Sequence, residues 1–277
     1  MKFSIITINY NNCAGLRNTI ESVVNQTCRD FEYIVIDGGS TDGSLEIIKK
    51  YSERINYWIS EPDSGVYNAM NKGIAVAHGD YCNFMNSGDV FYTNDVLEKV
   101  MKNNKTEDVV YGDISYAGKV VWPNPEKLTM KFFYKNSLYH QACFIKLSLL
   151  KMKPYDEKLK IISDWKWFLE MIVFKEISYA HIPIIVSLFE GGGISSNKRL
   201  VHEEQNVILR QFLPSLILDD YKDYAYGNTA YRRMFTTVEN IPPFMRILYR
   251  IDVLVLKLLN LRFHSRWIKD LPWSVDK

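Results

Sequence analysis

Five short polar groups stand where apolar runs of this chain break off: Asn9-Tyr10-Asn11, Asp37, Glu61-Pro62-Asp63, Ser87-Gly88-Asp89 and Glu190. Four of the five contain a carboxylate. One such residue needs only turn geometry to explain it. Several acids gathered on one rim repel one another unless a cation or a donor-rich ligand neutralises them. The chemistry this points to is recognition of hydroxyl and N–H donors, with a hard divalent cation held on carboxylate oxygen. Asp37 falls 29 residues after Ile8, a placement suited to accepting from a ribose hydroxyl or a base N–H.

These residues converge only if the segments between them alternate in type. Phe3–Ile8, Phe31–Ile36, Ile55–Ile59 and Tyr81–Met85 read as short buried strands. Leu16–Val24, Leu45–Tyr51 and Met70–Ala77 have helical apolar spacing. Strands alternating with helices imply right-handed crossovers and a mainly parallel sheet with helices on both faces, an α/β fold. Ligands of such sheets lie beyond the carboxyl ends of the strands, where the polar groups stand. Past residue 108 the rhythm loosens. Val109–Tyr111, Lys119–Trp122, Ala142–Lys146 and Ile182–Phe189 read as strands, and Ser163–Val173 and Leu200–Leu213 as helices, the first opened by a Ser-Asp pair suited to N-capping. Pro242-Pro243 marks a boundary before a strongly apolar helical pattern over Phe244–Leu261.

The 277 residues are 47% hydrophobic and 24% charged, an ordinary globular composition. A net charge of +2 excludes a general nucleic-acid binder. Residues 241–277 nevertheless hold seven basic and three acidic side chains. The four cysteines have no zinc spacing and read as reduced thiols. With no signal peptide and no run of 18 apolar residues, the expected location is cytoplasmic. The sequons at Asn25 and Asn104 are read as chance matches. Neither GxGxxG nor a Walker motif follows the first strand, so a nucleotide diphosphate would need another device to meet its charge. A metal on Asp89 would supply it. The plain alternative for Asp89 is the N-cap of a helix over Val90–Met101.

The strings SIITINYNN, SVVNQT, FEYIVIDGGSTDGS, SEPDSGVYNAMNKGIAVAHGDYCNFMNSGD and ISDWKWFLEM resemble the inverting glycosyltransferases of family 2, which have the GT-A fold. The resemblance covers residues 1–195 and implies transfer of a sugar from a nucleotide sugar, often UDP-linked, to a hydroxyl of a glycan or lipid-linked acceptor, assisted by Mn²⁺ or Mg²⁺. By that resemblance Asn9 and Tyr10 pack on the base and Asp37 reads uracil or ribose. Asp63 and Lys72 line the nucleotide and diphosphate site. Asn86-Ser87-Gly88-Asp89 takes the place of the DxD motif. Asp89 is then a metal ligand, while Ser87, replacing the first acid, can bond a ribose but adds no charge. Asp164 matches the catalytic base, N-capping being its plain alternative. Trp165 would flank the acceptor, and Trp167 reads as core. His140-Gln141 matches a His-Gln pair near the acceptor or donor sugar. Glu190, in FEGGGIS, stands where many members carry a metal-binding His.

The expected domains are a GT-A catalytic domain over 1–199 and a basic, amphipathic helical extension over 200–277. Residues 244–270 would lie on the inner face of an anionic membrane or pack on the protein or a homodimer partner. Two rivals remain. A nucleotidyltransferase would carry a Gly-rich basic loop after the first strand, absent here. A catalytically silent sugar-nucleotide or glycan-binding subunit would be favoured by loss of Asp89 or Asp164, and both are present.

Overall fold

The structure, a computed structural model, describes residues 2–116, 118, 120–189 and 197–226. Glu190 and the 244–270 segment therefore lie outside the described residues. The chain separates into two compact units, Met1–Ser215 and Leu216–Lys277.

The first unit is a sheet flanked by helices. Its strands are β1 (Phe3–Asn9), β2 (Phe31–Asp37), β3 (Tyr57–Ser60), β4 (Tyr81–Phe84), β5 (Val90–Phe91), β6 (Val109–Tyr116), β7 (Val120–Trp122), β8 (Cys143–Lys146) and β9 (Tyr179–Phe189), ordered β3-β2-β1-β4-β8-β6-β9-β5 with β7 on β6. β3, β2, β1 and β4 run parallel, as expected, and so does β6 with β9. β8 joins the two parallel groups antiparallel to both β4 and β6, giving a mixed sheet.

The helices are α1 (Cys13–Val24), α2 (Ser44–Lys50), α3 (Val66–Val76), α4 (Val96–Lys102), α5 (Met130–Lys135), α6 (Leu147–Met152), α7 (Ser163–Phe168), α8 (Lys198–Phe212) and α9 (Ser215–Tyr226). Strand parity decides which helix covers which face. Phe3, Ile5, Tyr33 and Val35 share a core with Leu16 and Ile20 of α1 and Ile47 and Ile48 of α2. Ile6 and Ile36 point the other way, onto α3. There Gly73 permits close approach, since a Cβ on it would lie 2.6 Å from Ile6 Cγ2. Among the described residues no helix is long and apolar enough to cross a membrane.

Two local expectations are corrected. Val90–Phe91 does not begin a helix after Asp89. It pairs antiparallel with Ser187 and Leu188 of β9, and α4 starts only at Val96, so Asp89 caps nothing. The Ser163-Asp164 pair does not cap α7 either. Ser163 Oγ accepts from Asp156 N at 2.6 Å, and the helix continues over Leu169–Phe174 as a wider π turn.

Candidate active site

The segment that leaves β1 stitches two loops into one rim. Asn11, held at φ 48° in the left-handed region that Asn tolerates, donates its N–H to Ser40 Oγ (2.8 Å) and accepts from Thr41 N (2.9 Å). Asn12 Nδ2 donates to Ser87 O (3.1 Å), and Ser87 Oγ donates back to Asn12 O (3.2 Å). The loop after β2 and the loop after β4 are thereby fixed on either side of the same chain end.

Asp37 is fully enclosed at that rim. Its carboxylate accepts from Asn9 Nδ2 (2.7 Å), Ser40 Oγ (2.6 Å), Ser40 N (2.9 Å) and Ser60 Oγ (2.6 Å). Burial alone would raise its pKa, but the bonds from Ser40, Ser60 and Asn9 outweigh it and hold the group below its ordinary 3.8. All four bonds come from the protein, so Asp37 presents Asn9 and Ser40 to the cleft. Asp37→Ala is expected to cost about 2–4 kcal/mol by orphaning buried donors. A depressed folded-state pKa contributes stability that is complete above the ordinary value and is lost as pH falls through the folded one. The variant's denaturation midpoint should therefore fall less than the wild type's below pH 4, as urea titrations across pH will show.

Above Asp37 lie the candidate base contacts. Tyr10 is 68% exposed. A Cβ on Gly38 would meet Asp63 Oδ2 at 2.5 Å and Tyr10 Cδ2 at 3.2 Å, so those two side chains flank one spot. The buried Oδ1 of Asn9 has no partner among the described residues. Lys72 is already engaged. Its Nζ lies 2.6 Å from Glu61 Oε1 and 3.3 Å from Pro62 O, bracing the 61–63 turn.

Thr19 of α1 organises the loop after β4. Its hydroxyl is 2.7 Å from Asp89 O and accepts from the N–H of Gly88, which sits at φ 105° where a side chain would be strained. This leaves the Asp89 carboxyl mostly buried with no hydrogen-bond donor among the described residues. Burial pushes its pKa up to about 6, opposed by the nearby His140. His140 Nε2 is 4.0 Å from Asp89 Oδ2 and 3.0 Å from Asn86 Nδ2, while its Nδ1 is 3.3 Å from Asp164 Oδ2. Burial would lower the imidazole's pKa. The hydrogen bond and charge of Asp164, with the charge of Asp89, win and raise it above its ordinary 6.5. Tyr67 of α3 completes the line, its hydroxyl 2.9 Å from Asp164 Oδ1. Burial, then the Asp164 charge, lifts that hydroxyl well above its ordinary range and keeps it a proton donor.

The structure thus gathers Asp89, His140 and Asp164 into one line, with Asn86 and Tyr67 at its ends. Sequence reading did not single out Tyr67, although it lies inside the quoted EPDSGVYNAMNKG string. A tyrosine on an apolar helix face gives no sign that its hydroxyl meets an acid 97 residues away. Two expected sugar contacts are corrected. Trp165 is 2% exposed and donates its indole N–H to Phe133 O (2.8 Å), so it belongs to the core, as does Trp167. Gln141 is buried too, its carbonyl accepting from Asn83 Nδ2.

Among the described residues no group of three or more His, Cys, Asp and Glu is arranged to hold a metal ion. A buried carboxylate lacking donors still fits a hard cation, provided the remaining oxygen ligands come from a phosphate-bearing substrate and water. Among the described residues Asp89 is the carboxylate such a cation would meet, and the acid at 190 lies outside them.

The sequence profile of Glycosyl transferase family 2 matches residues 4–157, which include Asp89 and His140 and end before Asp164. Over 203 residues the chain is 31% identical to a PGL/p-HBAD biosynthesis glycosyltransferase of Mycobacterium tuberculosis, covering 70% of this chain and 79% of that one. Two solved structures share its fold. One is Staphylococcus aureus TarS 1–349 in complex with UDP-GlcNAc (TM-score 0.62, 19% identity, 89% of this chain and 79% of that one). The other is the mannosyltransferase PcManGT of Pyrobaculum calidifontis in complex with GDP-Man and Mn²⁺ (TM-score 0.53, 15% identity, 94% and 88%).

Proposed function

This chain belongs to glycosyl transferase family 2 and is a glycosyltransferase, and we propose that it moves a sugar with inversion from a UDP-linked donor to a hydroxyl of a glycan or lipid-linked acceptor. The observation that carries this reading is the line of Asp89, His140 and Asp164 at the strand ends. It sets one carboxylate at each end of a single imidazole, one suited to the leaving group and the other to the acceptor.

In this reading the base lies between Tyr10 and Asp63, over the Asn9 and Ser40 groups that Asp37 orients, and Ser87 faces the ribose. Asp89, joined by Glu190, would hold Mn²⁺ or Mg²⁺, which when bound neutralises charge on the departing diphosphate. Asp164 takes the proton of the acceptor hydroxyl as its oxygen attacks the anomeric carbon from the side opposite the diphosphate. The new C–O bond forms as the bond to the diphosphate breaks, so the anomeric configuration inverts. His140, its pKa raised by the bond and charge of Asp164 and by the charge of Asp89, lies between the two acids and holds Asp164 in place. Residues 244–270 would bring the enzyme to a cytoplasmic membrane face carrying the acceptor, or pair two copies.

The test is release of nucleoside diphosphate from UDP-GlcNAc, UDP-glucose, UDP-galactose and GDP-mannose, with and without Mn²⁺, followed by NMR of the product's anomeric proton. A β-linked product from an α-linked UDP donor is expected. Retention would overturn inversion, and no release from any donor would overturn transfer.

A further inference from the structure

The loop that delivers Asp164 is held from two sides by side chains of other elements. On one side, the Glu204 carboxylate of α8 accepts three successive backbone N–H groups, from Lys160 (2.7 Å), Ile161 (3.1 Å) and Ile162 (3.3 Å). On the other, the Tyr67 hydroxyl shares its one proton between the Ile161 carbonyl and Asp164 Oδ1. Successive backbone N–H groups of this kind make an anion-binding concavity, and here the anion is a side chain more than 40 residues away in sequence. Ile161 is the shared point, its N–H bound to Glu204 and its carbonyl to Tyr67. Ile162, the residue before α7, has its N–H taken as well, so the backbone entering the helix has little freedom to turn the carboxylate.

We propose that Tyr67 and Glu204 are positioning residues that clamp the 160–164 loop between α3 and α8 and so fix the direction in which Asp164 faces the acceptor hydroxyl. The inference rests on the reading of Asp164 as the base. Both residues bond the 160–164 loop and are not among the groups assigned to the donor, so on this reading their loss falls on turnover. A reacting group displaced by about 1 Å costs on the order of 100-fold in rate. Because both act through Asp164, their effects vanish once that carboxylate is gone.

The experiment compares Tyr67→Phe and Glu204→Ala, made singly and in an Asp164→Asn background, using the full chain with UDP-GlcNAc, or whichever donor it turns over, and a fixed acceptor. Circular dichroism and thermal midpoints first confirm that each variant folds. Each single variant is expected to lose about 10- to 100-fold in kcat, with donor KM within twofold of wild type. In the Asp164→Asn background neither substitution should lower the residual rate further. Singles with wild-type kcat overturn the clamp, and so does an equal fold-loss in the Asp164→Asn background, which would mark a general structural role. An unimpaired Asp164→Asn enzyme overturns the base reading itself, and that outcome is visible without either clamp variant.

Discussion

Asp164→Asn is expected to lower turnover by about 10²- to 10⁴-fold while leaving the donor's dissociation constant within about twofold. The split follows from geometry. Asp164, the proposed base, is bonded to His140 and Tyr67 and stands apart from the rim formed by Asn9, Ser40 and Ser87. An amide keeps the shape and can still accept from Tyr67, so folding changes little, yet it cannot take a proton. Calorimetric titration of donor together with steady-state transfer rates would read the two quantities separately. Unchanged turnover would remove Asp164 from the chemistry.

Asp89→Asn is expected to have two effects of opposite sign. Donor affinity in the presence of Mn²⁺ should fall at least about tenfold, because the cation loses a carboxylate ligand and the diphosphate loses its neutralising partner. The metal-free protein, by contrast, should become more stable at pH 7.5. Burial has pushed the Asp89 carboxyl up to about 6, so at that pH the folded state carries an ionised group with no hydrogen-bond donor among the described residues. A raised folded-state pKa means this penalty is absent below the ordinary 3.8, grows as pH rises, and is complete above about 6. A shift of that size corresponds to about 3 kcal/mol, an upper figure since the amide also lacks partners. Thermal midpoints of the metal-free proteins at pH 4 and pH 7.5 check it. An equal midpoint at pH 7.5 would overturn the burial penalty, and Mn²⁺-dependent donor binding that survives the substitution would overturn the ligand role.

Much of the sheet was legible in the residues themselves. The strands β1, β2 and β4 are short apolar runs with local helical crossovers, and their polar ends mark the rim that the loops after β2 and β4 build. What could not be read depends on contacts between distant parts of the chain. Val90–Phe91 forms a strand beside β9, a long-range pairing that the plain helical alternative over Val90–Met101 could not foresee. Lys72 carries a charge suited to a diphosphate, but Glu61, on the turn it braces, takes that charge first. Trp165 was misplaced because a tryptophan beside a candidate base has two readings, and the bond to Phe133 O decides between them. The same blindness hid Glu204. A glutamate on a charged helix gives no hint that it gathers three amides from a loop in front of it.

The environment of Asp164 has a consequence for how sequence change is tolerated along α7. Ser163 and Trp165 are almost inaccessible and bonded into the interior, whereas the carboxylate between them keeps a side-chain exposure of 16% and meets His140 and Tyr67. In a library covering every substitution at these three adjacent sites, sorting by cellular abundance should deplete changes at 163 and 165. Changes at 164 should pass that sort and fail only a second one for product, so neighbouring codons would separate the cost of staying folded from the cost of losing the reaction.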